Sequence, residues 1–284
     1  MRGRAVGDGW LAARGHPQRG LAVYVHLAKA GFRRQSQYKL AMFAGLFTNC
    51  VFGFVRAAVL IAAVRSAGEF GGYTEGSVAA YVWISQGLLG ATQFMGPPLE
   101  LVERVKNGDI AIDFLRPVDV QFAYLAADLG RAVCTFGPRV VPSVLVGMLT
   151  FGLTMPTTPA ALALGTASVV LAVIISFLCL FAVTLIGFWV VETRGLRVLY
   201  QTCGTFLAGL FVPVHMFPDW LHAIAHATPF PSILQSPVDI LSGRVGGSGA
   251  VAVVVVQLFW VLVIGVLGRV LLAAGRHRLE VQGG

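Results

Sequence analysis

The sequence predicts an all-α membrane protein with six transmembrane helices. Hydrophobic residues fill 56% of its 284 positions and charged residues only 12%, about half of the roughly 25% that globular domains carry. Several apolar runs approach the roughly 20 residues that a helix needs to cross a hydrocarbon core of about 30 Å. No segment shows the strict alternation of apolar and polar residues that is typical of strands. We therefore expect a helical bundle in a lipid bilayer.

Residues 1–39 form a basic segment that precedes the first span. Its beginning is rich in Gly and Arg and lacks the apolar core of a secretory signal peptide. Leu21, Tyr24, Leu27 and Phe32 then recur at helical spacing, with basic residues on the rest of the helix surface. This pattern predicts an amphipathic helix that lies in the inner membrane interface.

Six apolar runs make up the predicted transmembrane domain, residues 40–274. They cover residues 40–64, 77–96, 134–153, 160–190, 199–212 and 251–268. Pro138 and Pro142 predict a kink in the third span. The fourth run exceeds one crossing but contains no turn signal, so we expect a single tilted helix. The fifth is short, and we expect it to reach full length by continuing past Pro213 toward Phe217.

The basic residues predict the orientation of the bundle. Eight of them precede the first span, and others follow the second and fourth spans and occupy the tail, residues 275–284. The loops expected on the opposite side contain only Arg65 and Arg244. Since cytoplasmic loops carry the excess of Arg and Lys, both termini are predicted to be cytoplasmic. Topology and anionic lipid account for the net charge of +8, so no nucleic-acid partner is needed.

The loop after the second span, residues 97–120, is more than a plain linker. Its sequence predicts a short helix ending at Lys106, a break at Asn107 and Gly108, and a second short element before Pro117. A solvated connector is the alternative. The alternation of acidic, basic and apolar residues favours an elbow that docks a soluble partner.

The segment between the fifth and sixth spans, residues 213–247, is the counterpart on the outer side. Prolines separate two short helical patterns, at residues 220–227 and 232–241, which are too short to cross a bilayer. We expect a re-entrant pair at the outer leaflet, with Phe217 and Trp220 at the level of the head groups.

Metal and disulfide chemistry find little support in the sequence. His222 and His226 have the i, i+4 spacing of metal ligands, but the glutamate of a zincin helix is absent and no third ligand is evident. The four cysteines fall inside apolar runs without metal-type spacing. We expect the cysteines to be packing residues and the chain to bind no metal.

These features together resemble the membrane subunit of an ABC-2 type transporter whose ATPase is a separate chain. The resemblance rests on the order of elements and on the stretches FLRPVDV, FWVVETRGLR and AGLFVPVHMFPDWLHAIAHATPF. It implies an exporter in the cell membrane that works with ABC ATPase subunits, a second permease subunit and an unidentified substrate. The excess of Arg over Lys, with abundant Ala, Val and Gly, indicates a bacterium.

The resemblance also implies roles for individual residues. The elbow would contain the helix that couples to the ATPase, through Leu99, Val102, Glu103, Arg104, Asp109, Ile110, Asp113 and Arg116. The outer segment would close the pathway, through Phe217, Trp220, His222 and His226.

Arg56 lies deep in the first predicted span, where a charge costs about 2.5–3.5 kcal/mol on insertion scales. Either it snorkels or binds a backbone carbonyl, or it lines the pathway and meets an anionic group, with Gln86 and Gln93 as polar neighbours.

The chain is not expected to hydrolyse ATP, and we predict no cofactor in it. Its three lysines, Lys29, Lys39 and Lys106, lie outside any G-x-x-x-x-G-K-[ST] loop, so ATP and Mg²⁺ would bind to the partner ATPase. The alternative is an ion-coupled secondary transporter or a channel. Ion coupling usually needs a carboxylate or histidine inside a span, whereas Asp128 precedes the third predicted span and Glu192 ends the fourth. The sequence contains neither an HExxH motif nor a G-x-S-x-G motif, so no catalytic motif of these kinds indicates an enzyme.

Overall fold

The computed structural model describes residues 17–67, 70–94, 96, 98–153, 158–190 and 192–282. The start of the predicted basic segment, residues 1–16, lies outside them. Within the described residues the chain is helical and contains no β-strand, which confirms the all-α prediction. The α-helices are α1 Pro17–Ser36, α2 Lys39–Ala67, α3 Glu75–Leu89, α4 Leu101–Lys106, α5 Ile110–Leu115, α6 Val120–Phe151, α7 Pro159–Leu185, α8 Arg194–Leu207, α9 Asp219–His226, α10 Gln235–Leu241 and α11 Gly247–Gln282.

Four helices of the described chain are long and apolar enough to cross a membrane. They are Lys39–Ala67, Val120–Phe151, Pro159–Phe188 and Gly247–Arg278. The predicted second and fifth spans are also helical, as α3 and α8, but these have only 15 and 14 residues. At 1.5 Å per residue they are about 22 and 21 Å long, shorter than the roughly 30 Å hydrocarbon core.

Helix α3 ends well before Gly96, the predicted end of the second span. The carbonyl groups of Gly90 and Ala91, just beyond α3, accept hydrogen bonds from Arg131 of α6 at 3.2 and 2.8 Å. A buried guanidinium therefore satisfies backbone groups that a longer helix would satisfy internally. Gln93, predicted to lie within the span, follows the helix in an irregular turn.

The predicted continuation of the fifth span past Pro213 is wrong. Helix α8 ends at Leu207, and Gly209 has a φ of +88°, a left-handed conformation that glycine adopts without steric cost. The hydroxyl of Tyr81 on α3 donates to the carbonyl of Gly209 at 2.8 Å. The chain then forms a 3₁₀ turn, Val214–Met216, and does not resume the helix.

The third and sixth predicted spans are parts of longer helices. Helix α6 begins at Val120, where Asp119 caps it by accepting from the amide of Phe122 at 3.0 Å. Asp128, predicted to precede this span, therefore lies inside the helix. Helix α11 runs to Gln282 and includes most of the predicted tail. The fourth span is a single helix, as predicted, followed by a 3₁₀ turn, Ile186–Phe188.

The centre of the bundle is formed by α3 and α7. Side chains of α3 are buried over most of its length. In the span containing α7, 72% of the most apolar window is buried, against 17% in α11. Exposed apolar side chains on α11 include Leu262 and Phe259, as expected for a helix that borders lipid.

Helix α1 crosses α6 with the two backbones in contact. A Cβ atom at Gly31 would collide with the carbonyl of Ala127, and a Cβ atom at Gly130 would collide with the carbonyl of Ala28. Glycine at both positions is therefore required for this approach. The predicted amphipathic helix is confirmed as a helix, and it is docked on the part of α6 that precedes the predicted third span.

The elbow and the outer segment lie at opposite ends of α7. Near the start of α7, Gly165 packs against Leu241 of α10. Just after its end, a Cβ atom at Gly187 would lie 3.4 Å from Val105 of α4. The 22 residues between these glycines correspond to about 33 Å of helix, close to the thickness of a hydrocarbon core.

Candidate functional site

The elbow is folded as two short helices whose boundaries agree with the prediction. Helices α4 and α5 are separated by Asn107–Asp109, with Gly108 at a φ of +77°. Arg104 of α4 binds Asp113 of α5 through two hydrogen bonds, from Nε to Oδ2 at 2.6 Å and from Nη2 to Oδ1 at 2.9 Å. This paired, planar contact fixes the angle between the helices. It also raises the pKa of the Arg104 guanidinium.

Asp113 connects the elbow to the bundle as well. The hydroxyl of Tyr124 on α6 donates to Asp113 Oδ2 at 3.4 Å. Asp113 also pairs with a second arginine: Arg116 Nη1 lies 3.4 Å from Asp113 Oδ1, farther away than Arg104. One buried carboxylate thus contacts groups from α4, α6 and the end of α5, so the elbow is attached to the bundle as a rigid unit.

The predicted coupling residues differ in exposure. The buried members are Leu99, Ile110 and Asp113, the half-buried members are Val102 and Arg104, and the exposed members are Glu103, Asp109 and Arg116. The buried side chains hold the elbow on the bundle and do not face outward.

The predicted coupling residues omit two apolar residues of the elbow surface. Ile112 and Leu115 are 53% and 85% exposed on α5, so they form an apolar patch beside the exposed charges. The 3.6-residue period would have identified it, because Ile112 and Leu115 are three positions apart and share a face from which Ile110 points away. The role of all these residues in coupling stays a prediction.

Arg56 is partly buried and poorly satisfied. Its Nη1 donates to Ser85 Oγ on α3 at 3.4 Å, while Nε and Nη2 are buried without a hydrogen-bond partner among the described residues. Gln86 follows Ser85 and is buried; its backbone carbonyl accepts from Asn49 at 3.1 Å. Ser85 is thus the hydrogen-bond partner of one of the three guanidinium nitrogens of Arg56.

Gln93 lies away from Arg56, in a buried network that the sequence did not predict. Its Nε2 donates to Asp128, and Arg131 Nε binds Asp128 Oδ1 at 2.6 Å. Arg131 also caps the end of α3. Asp128 is therefore paired with Arg131, and Arg131 has a structural role at the end of α3. An ion-coupled transporter would instead need a carboxylate that is free to bind the coupling ion.

On the outer segment, Asp239 of α10 organises a second network. It accepts from Gln235 Nε2 at 2.7 Å and from the Tyr73 hydroxyl at 3.4 Å, and it lies 2.8 Å from His215 Nε2. Arg244 stacks over Tyr73 at 4.1 Å. Burial, with the Asp239 charge, raises the pKa of Tyr73, so its hydroxyl remains a hydrogen-bond donor. These contacts bind the outer segment to the turn between α2 and α3.

The predicted outer-gate residues lie at the edge of this network. Phe217 stacks on Phe206 of α8 with ring centroids 5.3 Å apart, and Trp220 is 67% exposed. The rings of His222 and His226 are 4.3 Å apart. Partial burial, then the neighbouring His222 and His215, lower the pKa of His226.

The histidines do not form a metal site in the described part of the chain. Although His215 lies near His222, with ring centroids 6.3 Å apart, no group of three His, Cys, Asp or Glu side chains among the described residues is arranged to hold a metal ion.

Comparison with known families gives one match. A family model described as "ABC-2 family transporter protein" matches residues 52–283 of this chain. The match covers most of the chain and includes the elbow, the outer segment and the long helices α6, α7 and α11. A comparison with curated proteins finds no match.

Proposed function

Because the chain belongs to the ABC-2 family of transporter proteins, we propose that it is the transmembrane permease subunit of an ATP-driven exporter. A separate ABC ATPase supplies the energy, and a second permease subunit, identical or related, completes the translocation pathway. The observation that carries the proposal is the elbow, which is attached rigidly to the bundle and carries exposed charges beside Ile112 and Leu115. A surface of this kind is able to transmit movement of a bound soluble subunit to the bundle.

ATP binds to the partner in this proposal. A phosphate-binding loop needs a lysine followed by Ser or Thr, and the three lysines of this chain are followed by Ala, Leu and Asn. In this proposal the permease itself binds no nucleotide, magnesium or other cofactor, and ATP hydrolysis is the work of the partner.

We propose six crossings of a bacterial cell membrane, with both termini and the elbow in the cytoplasm. The separation of about 33 Å along α7 between the contacts of the elbow and of the outer segment supports opposite sides of the bilayer. The basic residues around the elbow support its cytoplasmic side. The short helices α3 and α8 would cross together with the buried turns that follow them, residues 90–94 and 208–210.

The translocation pathway in this proposal passes Arg56 and Gln86. The two unpartnered nitrogens of Arg56 support a polar or anionic group in the pathway. The outer segment, with α9 and α10 as re-entrant helices, closes the outer end. Phe217, Trp220, His222 and His226 lie on this closure.

Affinity purification of the tagged full chain from its native membrane tests the proposal. An ABC ATPase should co-purify in stoichiometric amount. Leu115→Glu and Glu103→Lys should each reduce the bound ATPase about tenfold, because disruption of one interface contact typically costs on the order of 1–3 kcal/mol. The matched control is Trp220→Glu, which places the same charge on a similarly exposed apolar residue of the outer segment.

The control variant should retain the ATPase. Equal loss of ATPase from Leu115→Glu and Trp220→Glu would show that general destabilisation, and not the elbow, controls binding. Full retention of ATPase by both elbow variants would show that the elbow only connects two helices and does not bind the ATPase.

A further inference from the structure

A cavity of about 350 Å³ opens between α1, the elbow and α6. One wall is apolar, with Val23 and Leu27 from α1 and Val120, Ala123 and Ala127 from α6. Helix α1 is the amphipathic helix expected at the inner interface, and its Leu21 is 70% exposed. The cavity is thus open to amphiphilic molecules at the level where α1 would meet lipid head groups.

The rim of the cavity is cationic. Arg34 and Arg116 have side chains that are 53% and 64% exposed. Arg34 pairs with Glu100, and Arg116 is the weaker partner of Asp113, since Arg104 binds that carboxylate through two closer bonds. Four arginines and three carboxylates line the cavity, which leaves one positive charge in excess. Guanidinium groups with remaining donors are suited to phosphate oxygens.

The lining of the cavity includes a buried acceptor without a hydrogen-bond partner. Gln93 is 2% exposed and lines the cavity, and its Oε1 has no hydrogen-bond partner among the described residues. The orientation of the amide is fixed because Nε2 donates to the Asp128 carboxylate. The occupant is therefore expected to bring a donor.

We propose that this cavity binds the head group of an inner-leaflet phospholipid that carries an ammonium or hydroxyl donor. The phosphate lies between Arg34 and Arg116, the donor reaches Gln93 Oε1, and the proximal chain follows the apolar wall. Phosphatidylethanolamine and phosphatidylglycerol meet this description, whereas phosphatidylcholine has the phosphate but no donor. The assignment to the inner leaflet rests on the proposed function and its topology.

Lipid binding to the purified, delipidated full chain tests the site. Native mass spectrometry with defined phospholipids should give about tenfold tighter binding of phosphatidylethanolamine and phosphatidylglycerol than of phosphatidylcholine, the factor expected for one buried hydrogen bond. Gln93→Met should abolish this preference and leave phosphatidylcholine binding unchanged. Arg116→Gln should weaken binding of all three lipids several-fold.

Gln121→Met is the matched control. Gln121, on α6, resembles Gln93 in being buried and in having an Oε1 atom without a hydrogen-bond partner among the described residues. It does not line the cavity. This variant should keep the lipid preference. If Gln93→Met does not fold, Ala123→Leu provides a second test, because it fills the apolar wall without touching Gln93 and should weaken binding of every lipid.

Three results would overturn the proposal: equal binding of all three lipids, equal loss of preference in Gln121→Met, or unchanged lipid binding in Ala123→Leu. Competition by soluble glycerol phosphate or inorganic phosphate at the same concentration would assign the site to a free anion. ATPase co-purification is measured on the same preparation. Lipid preference without bound ATPase would contradict the proposed function and leave the lipid site intact.

Discussion

The ion pair between Asp128 and Arg131 offers the sharpest test of the packing of the bundle. Arg131 is 6% exposed and binds three groups: the Asp128 carboxylate and the carbonyls of Gly90 and Ala91. Arg131→Met removes all of these interactions and leaves a buried carboxylate without its cation. Adding Asp128→Asn removes that charge and keeps an oxygen that accepts from Gln93.

The expected magnitudes follow from these contacts. Removal of one partner of a buried ion pair costs about 3–5 kcal/mol. In the double variant only the unpaired carbonyls remain, at about 1–3 kcal/mol. The second substitution should therefore restore about 2 kcal/mol, or roughly 5 °C in melting temperature at the 2–4 °C per kcal/mol of similarly sized domains.

Thermal unfolding of the purified full chain in one detergent measures this difference. The double variant should melt above Arg131→Met, and Asp128→Asn alone should be milder than Arg131→Met because Arg131 still caps α3. If the double variant melts at or below Arg131→Met, the two residues do not act as a buried ion pair, since the two losses would then add as they do for independent sites.

Three further predictions concern topology, the pathway and pH. In a cysteine-free background, a membrane-impermeant thiol reagent should label Ser66→Cys and Ser248→Cys from outside but not Asn107→Cys; external labelling of the last would contradict the orientation. Arg56→Ala should reduce transport while membrane insertion and ATPase binding persist, and loss of folded protein would instead assign it a structural role. His226 has a lowered pKa in the folded chain. Protons therefore favour the unfolded state as the pH falls below about 6.5. After correction for the slower intrinsic exchange of amides at lower pH, the outer segment should then be less protected from hydrogen exchange at pH 5.5 than at 7.5, and His226→Gln should reduce the difference; an unchanged pH dependence would exclude His226 as its source.

The sequence predicted long apolar helices well, because lipid requires the backbone to be satisfied within the segment. The predicted helix boundaries were wrong where side chains from distant parts of the chain form hydrogen bonds with the backbone. Helix α3 stops early because Arg131 caps carbonyls about 40 positions away in the chain. Helix α6 starts earlier than the predicted third span, at Val120 where Asp119 caps it, and it contains Asp128 and Arg131, which pair three residues apart inside the helix.

In the candidate sites, too, features with a local cause were predictable from the sequence and features that depend on long-range contacts were not. The break at Gly108 was predictable, since the turn has a local cause. The helical spacing of Ile112 and Leu115 is a local signal for a shared face, but which face of α5 is buried depends on how the elbow docks, and the composition of the elbow does not determine that. Long-range pairs such as Tyr73 with Asp239 have no local signal at all.

Co-reconstitution tests whether this chain is the permease partner of an ABC ATPase. The purified chain and the ABC ATPase that co-purifies with it are inserted into proteoliposomes, and ATP hydrolysis is measured for the chain alone, for the ATPase alone and for the two together. We expect no hydrolysis by the chain alone and a stable complex in which hydrolysis responds to Leu115→Glu. ATP hydrolysis by the chain alone would contradict the proposed function, and so would an ATPase whose hydrolysis rate does not change when this chain is present.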